Sequence, residues 1–335
     1  MACMDGGSSS SQAGSIPTGL CMVGDLASRP QAWIYSCVWM LVIVNPRAGR
    51  GAGTRKLPVL RQELRCRHME SRIVVTTGPG HARELARSAL AEGETCVVAV
   101  GGDGTVSEVA GSLAGTAACL GIIALGTGND LARTLGLPRG RIDRALEVIG
   151  EKRTRQVDLG RVGDRYFVSL LGVGFPAVVA AGANRMRYLT GTAAFLLSVL
   201  RCIHRMRPAS VRLLMDGREM ERECTSILVQ NTPYTGGGLR IAPGARLDDG
   251  QLDVVVVDDI GRLDLVWNLP KVYLGRHLGH PRFSIFRCRT VEIDASPVLE
   301  KTLDGDAFGR TPVKAEICPR ALTVIARPPG VSEHD

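Results

Sequence analysis

The chain has 335 residues, of which 45% are hydrophobic and 22% charged, and it carries a net charge of +8 with a pI near 9.1. Its length predicts two domains, and its composition is ordinary for a globular protein. No run reaches the roughly 20 apolar residues of a membrane-spanning helix, which excludes that class. The basic excess suits either solubility alone or an anionic partner, because the arginines are scattered along the sequence.

Cysteine and histidine usage excludes two further classes. The ten cysteines form no C-x-x-C pair, and several lie in apolar runs, so a reducing cytoplasm is favoured over a disulfide framework. The six histidines show no zinc-binding spacing. Residues 1–39 are Ser/Gly-rich and lack the features of a signal peptide, so we expect a disordered leader, with Met40 as an alternative start.

The first half of the chain alternates short apolar runs with amphipathic stretches. Continuous apolar strands separated by helices predict a parallel sheet covered on both faces. The predicted strands are Leu41–Val44, Ile73–Val75, Val97–Val100 and Leu120–Leu125, and the predicted helices are Arg55–Cys66, His81–Ala91, Val106–Leu113 and Ile142–Ile149.

A polar, Gly-rich segment follows each predicted strand. Ligands of such sheets bind beyond the carboxyl ends of the strands, so these segments should converge on one crevice. Neither a G-x-x-x-x-G-K-[ST] loop nor a G-x-G-x-x-G motif after the first strand is present, which excludes P-loop and ordinary dinucleotide folds. The segments are Asn45–Gly53, Thr76–Gly80, Gly101–Thr105 and Gly126–Asp130.

The segment Gly101–Glu108 reads Gly-Gly-Asp-Gly-Thr-Val-Ser-Glu. Its glycines and the helix that follows are typical of a loop that holds an anion. Asp103 in its middle would repel phosphates unless a metal ion or water separates them, so the loop indicates nucleotide chemistry.

A second segment, Gly126–Arg133, reads Gly-Thr-Gly-Asn-Asp-Leu-Ala-Arg and also joins a strand to a helix. Asp130 alone would be interpreted as a helix cap. However, a helix cap at Asp130 does not explain why the chain also contains the similar segment Gly101–Glu108.

The second half changes character, because strand-length runs are separated mostly by turns. This spacing predicts an antiparallel sandwich or barrel. Two helical insertions are expected, Thr192–Met206 and Leu263–Leu278; the first is either a packed amphipathic helix or the lip of a lipid-binding cleft on a bilayer. The strands are Tyr166–Leu171, Val211–Met215, Ile227–Gln230, Leu252–Val257, Phe283–Phe286, Val291–Ile293 and Leu322–Ile325.

G-G-D-G-T-x-x-E followed by L-G-T-G-N-D-L-A-R, with N-P-x-x-G upstream, resembles the catalytic domain of the diacylglycerol kinase family, which includes sphingosine and ceramide kinases. The resemblance covers Leu41 to about Pro328. It implies an α/β N-terminal domain with a doubly wound, mainly parallel sheet and a mainly antiparallel β-sandwich C-terminal domain. NAD kinases share the first loop but lack the second segment.

The resemblance also implies a site for ATP and Mg²⁺. A network of magnesium, aspartates and water would use Asp103, Asp130 and Asp158, since Mg²⁺ retains several waters. The residues implied in ATP binding are Asn45, Thr77, Gly101, Gly102, Asp103, Gly104, Thr105, Glu108, Thr127 and Asn129.

The resemblance implies roles for residues at two further places, both in the second domain. A structural Mg²⁺ would be held by the Asp249 side chain and the carbonyls of Arg246 and Gln251, unless this stretch is a plain acidic turn. Asp306 matches the acid that accepts the proton of the lipid hydroxyl. The family has Glu at this position, and the side chain of Asp306 is one methylene shorter, so the backbone must bring it closer to the lipid hydroxyl. Alternatively, Asp304-Gly305 is simply a hairpin turn, since Asp-Gly is common in such turns.

We therefore expect an ATP-dependent lipid kinase, most simply acting on diacylglycerol. The alternatives are a kinase of a soluble substrate, as in NAD kinases, and a catalytically impaired lipid-binding regulator. The expected partners are ATP and a lipid at a membrane surface, with no nucleic acid and either a monomer or a homodimer. We expect a cytoplasmic protein peripherally associated with the membrane. The expected domains are a nucleotide-binding domain at 40–160 and a lipid-substrate domain at 161–328, with its last residues either there or packed back on the first domain, and a tail at 329–335.

Overall fold

The computed structural model describes residues 40–186 and 191–328. The leader expected at 1–39 and the tail expected at 329–335 lie outside these ranges. No helix within the described residues is long and apolar enough to cross a lipid bilayer.

The N-terminal part is an α/β domain, as predicted. Its four strands are parallel, in the order β2-β1-β3-β4, and every residue of β1 and β3 is buried, which explains their uninterrupted apolar sequences. The elements are β1 (Met40–Val44), α1 (Ala48–Cys66), β2 (Ser71–Val75), α2 (His81–Ala91), β3 (Cys96–Gly101), α3 (Asp103–Leu113), β4 (Cys119–Ala124), α4 (Asp130–Thr134) and α5 (Ile142–Gly150).

The strand order places helices on both faces of this sheet. The chain moves one way from β1 to β2 and the opposite way from β2 to β3 and β4, so right-handed crossovers put α1 on one face and α2 and α3 on the other. Accordingly, α1 packs against α5, whereas α2 packs against α3. The direction reverses between β1 and β3, where ligands of such sheets bind.

The C-terminal part is an antiparallel β-sandwich with three helices on one side. Alternate residues of its strands, such as Val211, Leu213, Ile227 and Val229, fill the space between the sheets. The elements are β5 (Thr154–Val162), β6 (Arg165–Phe167), β7 (Leu170–Gly174), α6 (Phe175–Asn184), α7 (Gly191–Cys202), β8 (Ala209–Met215), β9 (Arg218–Gln230), β10 (Leu252–Asp258), α8 (Arg262–Tyr273), β11 (Phe283–Cys288), β12 (Thr290–Ser296), β13 (Glu300–Leu303), β14 (Asp306–Arg310) and β15 (Val313–Ile325).

The last strand connects the two parts. The start of β15 pairs with β12, its length pairs with β5, and Thr323 and Val324 pair in parallel with β4. The predicted strand Leu322–Ile325 is therefore the end of a strand of 13 residues. The C-terminal residues of the described chain pack back on the first sheet.

Other elements differ from their predicted bounds. The predicted strand Tyr166–Leu171 is broken into β6 and β7, because the N–H groups of Val168 and Ser169 donate to the Asp304 carboxylate instead of to a strand. Helix α8 ends before the predicted Leu278, since Gly275 adopts a left-handed conformation. Helix α6 was not predicted, because its sequence Phe-Pro-Ala-Val-Val-Ala-Ala-Gly-Ala-Asn has no amphipathic period.

Candidate functional site

A cavity of about 630 Å³ lies between the carboxyl ends of β1, β3 and β4 and the helical side of the sandwich. One end is lined by the Gly-rich loops, including Gly102–Thr105 and Gly126–Gly128. The other end is apolar and is lined by side chains of α6, α7, α8 and the sandwich strands, among them Phe175, Val199, Leu269, Val257 and Phe283.

A second cavity of about 230 Å³ adjoins the polar end and is lined by the loops after β1 and β2, including Thr76–Pro79. The two cavities share Asn45, Arg47, Gly104, Thr105 and Asp306. The site thus has a polar compartment, formed by the smaller cavity and the loop-lined end of the large cavity, which continues into an apolar compartment. Gly104 and Asp306 are among the residues at which the two cavities meet.

The two sequence motifs are joined directly by Asp103. Its carboxylate accepts hydrogen bonds from the N–H groups of Asn129 (2.8 Å) and Asp130 (2.5 Å), at the start of α4. The loops approach so closely that a Cβ on Gly126 would lie 2.4 Å from the Gly102 Cα. Glycine is required there because no side chain fits between the two backbones.

Asp103 and Asp130 form an electrostatically unfavourable pair. Burial, followed by the charge of Asp103, raises the pKa of Asp130 to about 7. Burial also raises the pKa of Asp103, although the amides of Asp130 and Asn129 oppose that rise. The Oδ2 of Asp130 accepts the Gly237 N–H at 3.2 Å, whereas its Oδ1 is buried without a hydrogen-bond partner.

This pair fits Mg²⁺ by the chemistry of its donors, because two buried carboxylates beside a phosphate-type loop need a cation to stay ionised together. No cluster of three or more metal-ligating side chains occurs in the part of the chain that the structure describes. The pair therefore matches a cation that keeps water and takes its other ligands from a bound phosphate.

Several predicted ATP-binding residues organise the polar compartment. The Asn45 Nδ2 donates to the Thr105 Oγ1 at 2.9 Å, which ties the end of β1 to α3. The Glu108 carboxylate accepts the N–H groups of Gly80 (2.7 Å) and Arg83 (3.3 Å) and so caps α2. Thr77 lines the smaller cavity, and Thr127 lines the larger one.

Two of the predicted ATP-binding residues support the loops without lining either cavity. Gly101 ends β3, and a Cβ there would lie 2.6 Å from the Thr105 Oγ1. Asn129 is buried in a left-handed conformation, and its Nδ2 donates to the Gly126 carbonyl. Their placement indicates a role in loop shape.

Within the described residues, no direct hydrogen bond joins the Asp158 carboxylate to Asp103 or Asp130. Asp158 is fully buried, and its two oxygens accept the N–H groups of Gly250 and Arg320, both at 2.7 Å. Its carboxylate therefore fastens β5 to the turn before β10 and to β15. Its predicted place in a network with Asp103 and Asp130 stays a prediction.

The predicted structural magnesium site forms a tight turn. The Asp249 Oδ1 accepts the Gln251 N–H at 3.1 Å, and the Arg246 side chain pairs with Asp248. This geometry is that of an Asx turn, which needs no cation. The three predicted ligands, Arg246, Asp249 and Gln251, thus stay a prediction.

Asp306 begins β14, directly after a hairpin turn in which Asp304 and Gly305 both have positive φ. This turn type favours Asp-Gly. Desolvation by the surrounding groups, then the charges of Glu108 and Asp304, raise the pKa of Asp306, against opposing effects of Arg165 and Arg83. A carboxylate with a raised pKa at the junction of the two compartments is suited to accept a proton.

Three residues of the site were missed in the sequence: Arg47, Ser107 and Asp304. Arg47 lines both cavities, and its signal was its position directly after the first strand. The Asp304 carboxylate accepts the N–H groups of Val168, Ser169 and Leu170 and the hydroxyl of Ser107. No local pattern could have identified that network, because its members lie far apart in the chain.

Comparison with known proteins places both halves of the chain. Residues 39–162 match the diacylglycerol kinase catalytic domain family, and residues 169–326 match the YegS C-terminal NAD kinase beta sandwich-like domain.

The chain is 34% identical over 290 residues to a diacylglycerol kinase of Mycobacterium tuberculosis, covering 84% of this chain and 93% of that protein. It is 28% identical over 274 residues to a diacylglycerol kinase of Bacillus subtilis, covering 81% of this chain and 90% of that one. It is also similar to the crystal structure of a protein from Bacillus anthracis described as a diacylglycerol kinase. That likeness has a TM-score of 0.74 at 26% identity and covers 87% of this chain and 95% of the other.

Proposed function

Because the chain belongs to the diacylglycerol kinase family, we propose that it transfers the γ-phosphoryl group of ATP to the hydroxyl of diacylglycerol. Membership makes it a phosphotransferase of the lipid-kinase type that uses ATP. The identity of the lipid, the roles of individual residues and the use of Mg²⁺ belong to the proposal. We also propose that a domain at 40–160 binds the nucleotide and that a domain at 161–328 binds the lipid substrate.

The observation that carries the proposal is the meeting of a polar and an apolar compartment at one carboxylate. Asp306 lines both the smaller polar cavity after β1 and β2 and the large cavity, which runs from the Gly-rich loops to the apolar walls of α6, α7 and α8. A nucleotide in the first and an acyl-chain lipid in the second would bring a phosphoryl group and a lipid hydroxyl to that residue. Such positioning of both reactants accounts for a large part of catalysis in phosphoryl transfer.

The residues of the polar compartment would bind the nucleotide. Gly102 and Gly104 are at the N-terminus of α3, where backbone N–H groups and the helix dipole favour phosphate. Arg47 lines both cavities and supplies a positive charge for the transferring group. Thr77 and the other residues of the smaller cavity would hold the rest of the nucleotide. Mg²⁺, when bound through Asp103 and Asp130, would neutralise phosphate charge.

Asp306 would accept the proton of the lipid hydroxyl. Its raised pKa makes it a stronger base than an ordinary carboxylate. Its side chain is one methylene shorter than that of the glutamate usual in the family. The hairpin therefore has to place its backbone closer to the substrate, and Asp304 anchors that hairpin through its bonds to the chain before β7.

The apolar compartment favours a lipid over a soluble acceptor. Its walls include Phe175, Val179, Leu228, Val255 and Phe283, which offer a soluble dinucleotide few hydrogen-bond partners. A lipid acceptor would have to be taken from a membrane, so we also propose peripheral association with a bilayer. No observation requires either a homodimer or a nucleic acid.

Purified protein incubated with γ-labelled ATP, Mg²⁺ and vesicles containing diacylglycerol tests the proposal. Label in the organic phase is expected, and Asp306→Asn should lower the rate by about 100-fold or more while ATP binding is retained. Asp143→Asn, an exposed change on α5, is the matched control. Label on NAD would show a kinase of a soluble substrate. ATP binding without transfer to any acceptor would show a regulatory protein.

A further inference from the structure

Helix α8 has apolar side chains on two opposite faces. Leu265, Leu269 and Val272 point inward and line the large cavity. On the opposite face, Leu263 and Trp267 are 78% and 80% exposed, and Leu274 just beyond the helix is 60% exposed. The spacing of four and seven residues keeps them on one stripe. A helix at a protein surface normally presents polar residues outward, so this stripe needs an explanation.

Helix α7 repeats the arrangement beside the same cavity. Phe195 and Val199 line the cavity, whereas Leu196 and Leu200 lie on the outside, with Leu200 52% exposed. The Arg262 Nη2 at the start of α8 donates to the His204 carbonyl, just after α7, at 3.2 Å. The two helices are therefore held together, with their inner faces on the cavity and their outer faces in solvent. We call these outer faces the outer apolar surface: Leu196, Leu200, Leu263, Trp267 and Leu274.

The two segments that carry the outer apolar surface are predominantly basic. Residues 191–207 and 262–282 carry seven Arg and Lys residues and one acid, a net +6 of the chain's +8. That single acid, Asp264, lies 3.2 Å from the His280 ring. All seven basic side chains are exposed, and within residues 40–186 and 191–328 none of them pairs with a carboxylate. The two segments that carry this surface are thus strongly basic, and their charges are not neutralised by ion pairs with carboxylates in the described residues.

We propose that the outer apolar surface docks on an anionic lipid bilayer, with Leu263, Trp267 and Leu274 entering the headgroup region and the basic residues contacting lipid phosphates. Apolar residues flanked by Arg and Lys are the composition of helices that lie in a membrane interface. Trp is suited to that depth, since its ring is apolar and its N–H is polar. The inference rests on the proposed lipid-kinase function, because docking would set the wall of the lipid cavity against the lipid source.

Charge argues against a second copy of the chain as the occupant of this surface. A symmetric contact would bring the same basic residues of two copies together, and like charges across an interface are unfavourable. An anionic bilayer instead offers complementary charge next to an apolar layer. The same argument predicts that binding weakens with added salt, because screening reduces the electrostatic part.

Vesicle flotation with the full chain tests the proposal independently of catalysis. We expect binding to vesicles of phosphatidylcholine and phosphatidylglycerol, weaker binding to phosphatidylcholine alone, and loss in high salt. The double variant L263S/W267S should reduce the binding constant by about tenfold or more, given the apolar area withdrawn from the interface. The matched control is Val59→Ser, at an exposed valine on α1.

Charge reversal and activity complete the test. Lys271→Glu with Arg201→Glu should weaken binding to the anionic vesicles, whereas Arg218→Glu on β9 should not. With L263S/W267S, phosphorylation of diacylglycerol in vesicles should fall, while the rate on a short-chain diacylglycerol dissolved as monomer stays unchanged. If the chain phosphorylates no lipid at all, flotation still decides whether the surface docks.

Two results would overturn the proposal. One is equal vesicle binding by L263S/W267S and the unmodified chain. The other is a dimer in sedimentation that becomes a monomer in L263S/W267S, since the outer apolar surface would then be covered by a second copy.

Discussion

The Ser107 hydroxyl donates a 2.5 Å hydrogen bond to the Asp304 Oδ2, across 197 residues of chain. Ser107 is on α3, within the first Gly-rich motif, and Asp304 forms the turn between β13 and β14. The same carboxylate accepts three backbone N–H groups, from Val168 (2.7 Å), Ser169 (2.8 Å) and Leu170 (2.9 Å). Asp304 therefore fixes the hairpin that carries Asp306 against the loop proposed to hold the nucleotide.

We expect Asp304→Asn to lower kcat more than it raises the KM for ATP. An amide offers one acceptor oxygen in place of two, so its NH₂ group would face backbone donors and the hairpin would shift. The free energy of unfolding should fall by about 1–3 kcal/mol, measured by urea denaturation. Ser107→Ala, which removes one of the four bonds, is the milder comparison. A normal kcat in Asp304→Asn would show that the hairpin needs no such anchor.

The acid side of the pH–rate profile should report Asp306, which has to be ionised to accept a proton. Rates therefore rise with pH through its pKa, which lies above the ordinary carboxyl value because of desolvation and the charges of Glu108 and Asp304. Arg165→Gln removes a positive charge and should move the acid limb of kcat/KM to higher pH. Glu108→Gln should move it to lower pH. If the acid limb of kcat/KM lies at the same pH in both variants as in the unmodified protein, the titrating group is not Asp306.

Asp130→Asn should stabilise the protein at neutral pH when Mg²⁺ is absent. The folded chain holds the Asp130 proton up to a pKa of about 7, compared with 3.8 for the ordinary group, so the unmodified protein loses stability as pH rises through that interval. The asparagine keeps the acceptor for the Gly237 N–H but cannot ionise. We expect a gain of up to about 4 kcal/mol at pH 8 and little change at pH 4.

The same variant tests the cation site without an assay of activity. Thermal unfolding of the unmodified protein should shift upward when Mg²⁺ is added, because the ion binds the folded state. Asp130→Asn should shift less, and the exposed change Asp143→Asn should behave as the unmodified chain. Equal shifts in all three proteins would place magnesium elsewhere.

Gly128→Ala should separate the two motifs and abolish activity. A Cβ there would lie 2.5 Å from the Asp103 Oδ2 and 3.1 Å from the Gly237 Cα, and backbone cannot yield as a flexible side chain would. We expect a loss of about 2 kcal/mol or more in stability from such overpacking. Gly150→Ala, at the end of α5 with no atom within 4 Å of the new Cβ, is the matched control. It should be neutral or slightly stabilising.

Much of the fold could be predicted from local sequence. The apolar runs at β1, β3 and β4 are buried on both faces, so their composition reveals them without any partner being known. The Gly-rich segments after these strands predict which edge of the sheet binds the ligand, since the carboxyl ends of parallel strands lie at one edge. The two motifs around Asp103 and Asp130 likewise identified the family.

Only the tertiary structure shows which residues that are distant in the chain contact each other. It showed that the Asp158 carboxylate accepts the amides of Gly250 and Arg320, which lie far from it in the sequence. It showed that Asp304 anchors its hairpin to α3 and to the chain around β7, whereas the sequence Asp-Gly alone indicates only a turn. It also left Leu263 and Trp267 exposed on a helix that has basic residues in its first and last turns. Sequence patterns report which face of an element is apolar, whereas only the packed chain shows which of those faces remain uncovered.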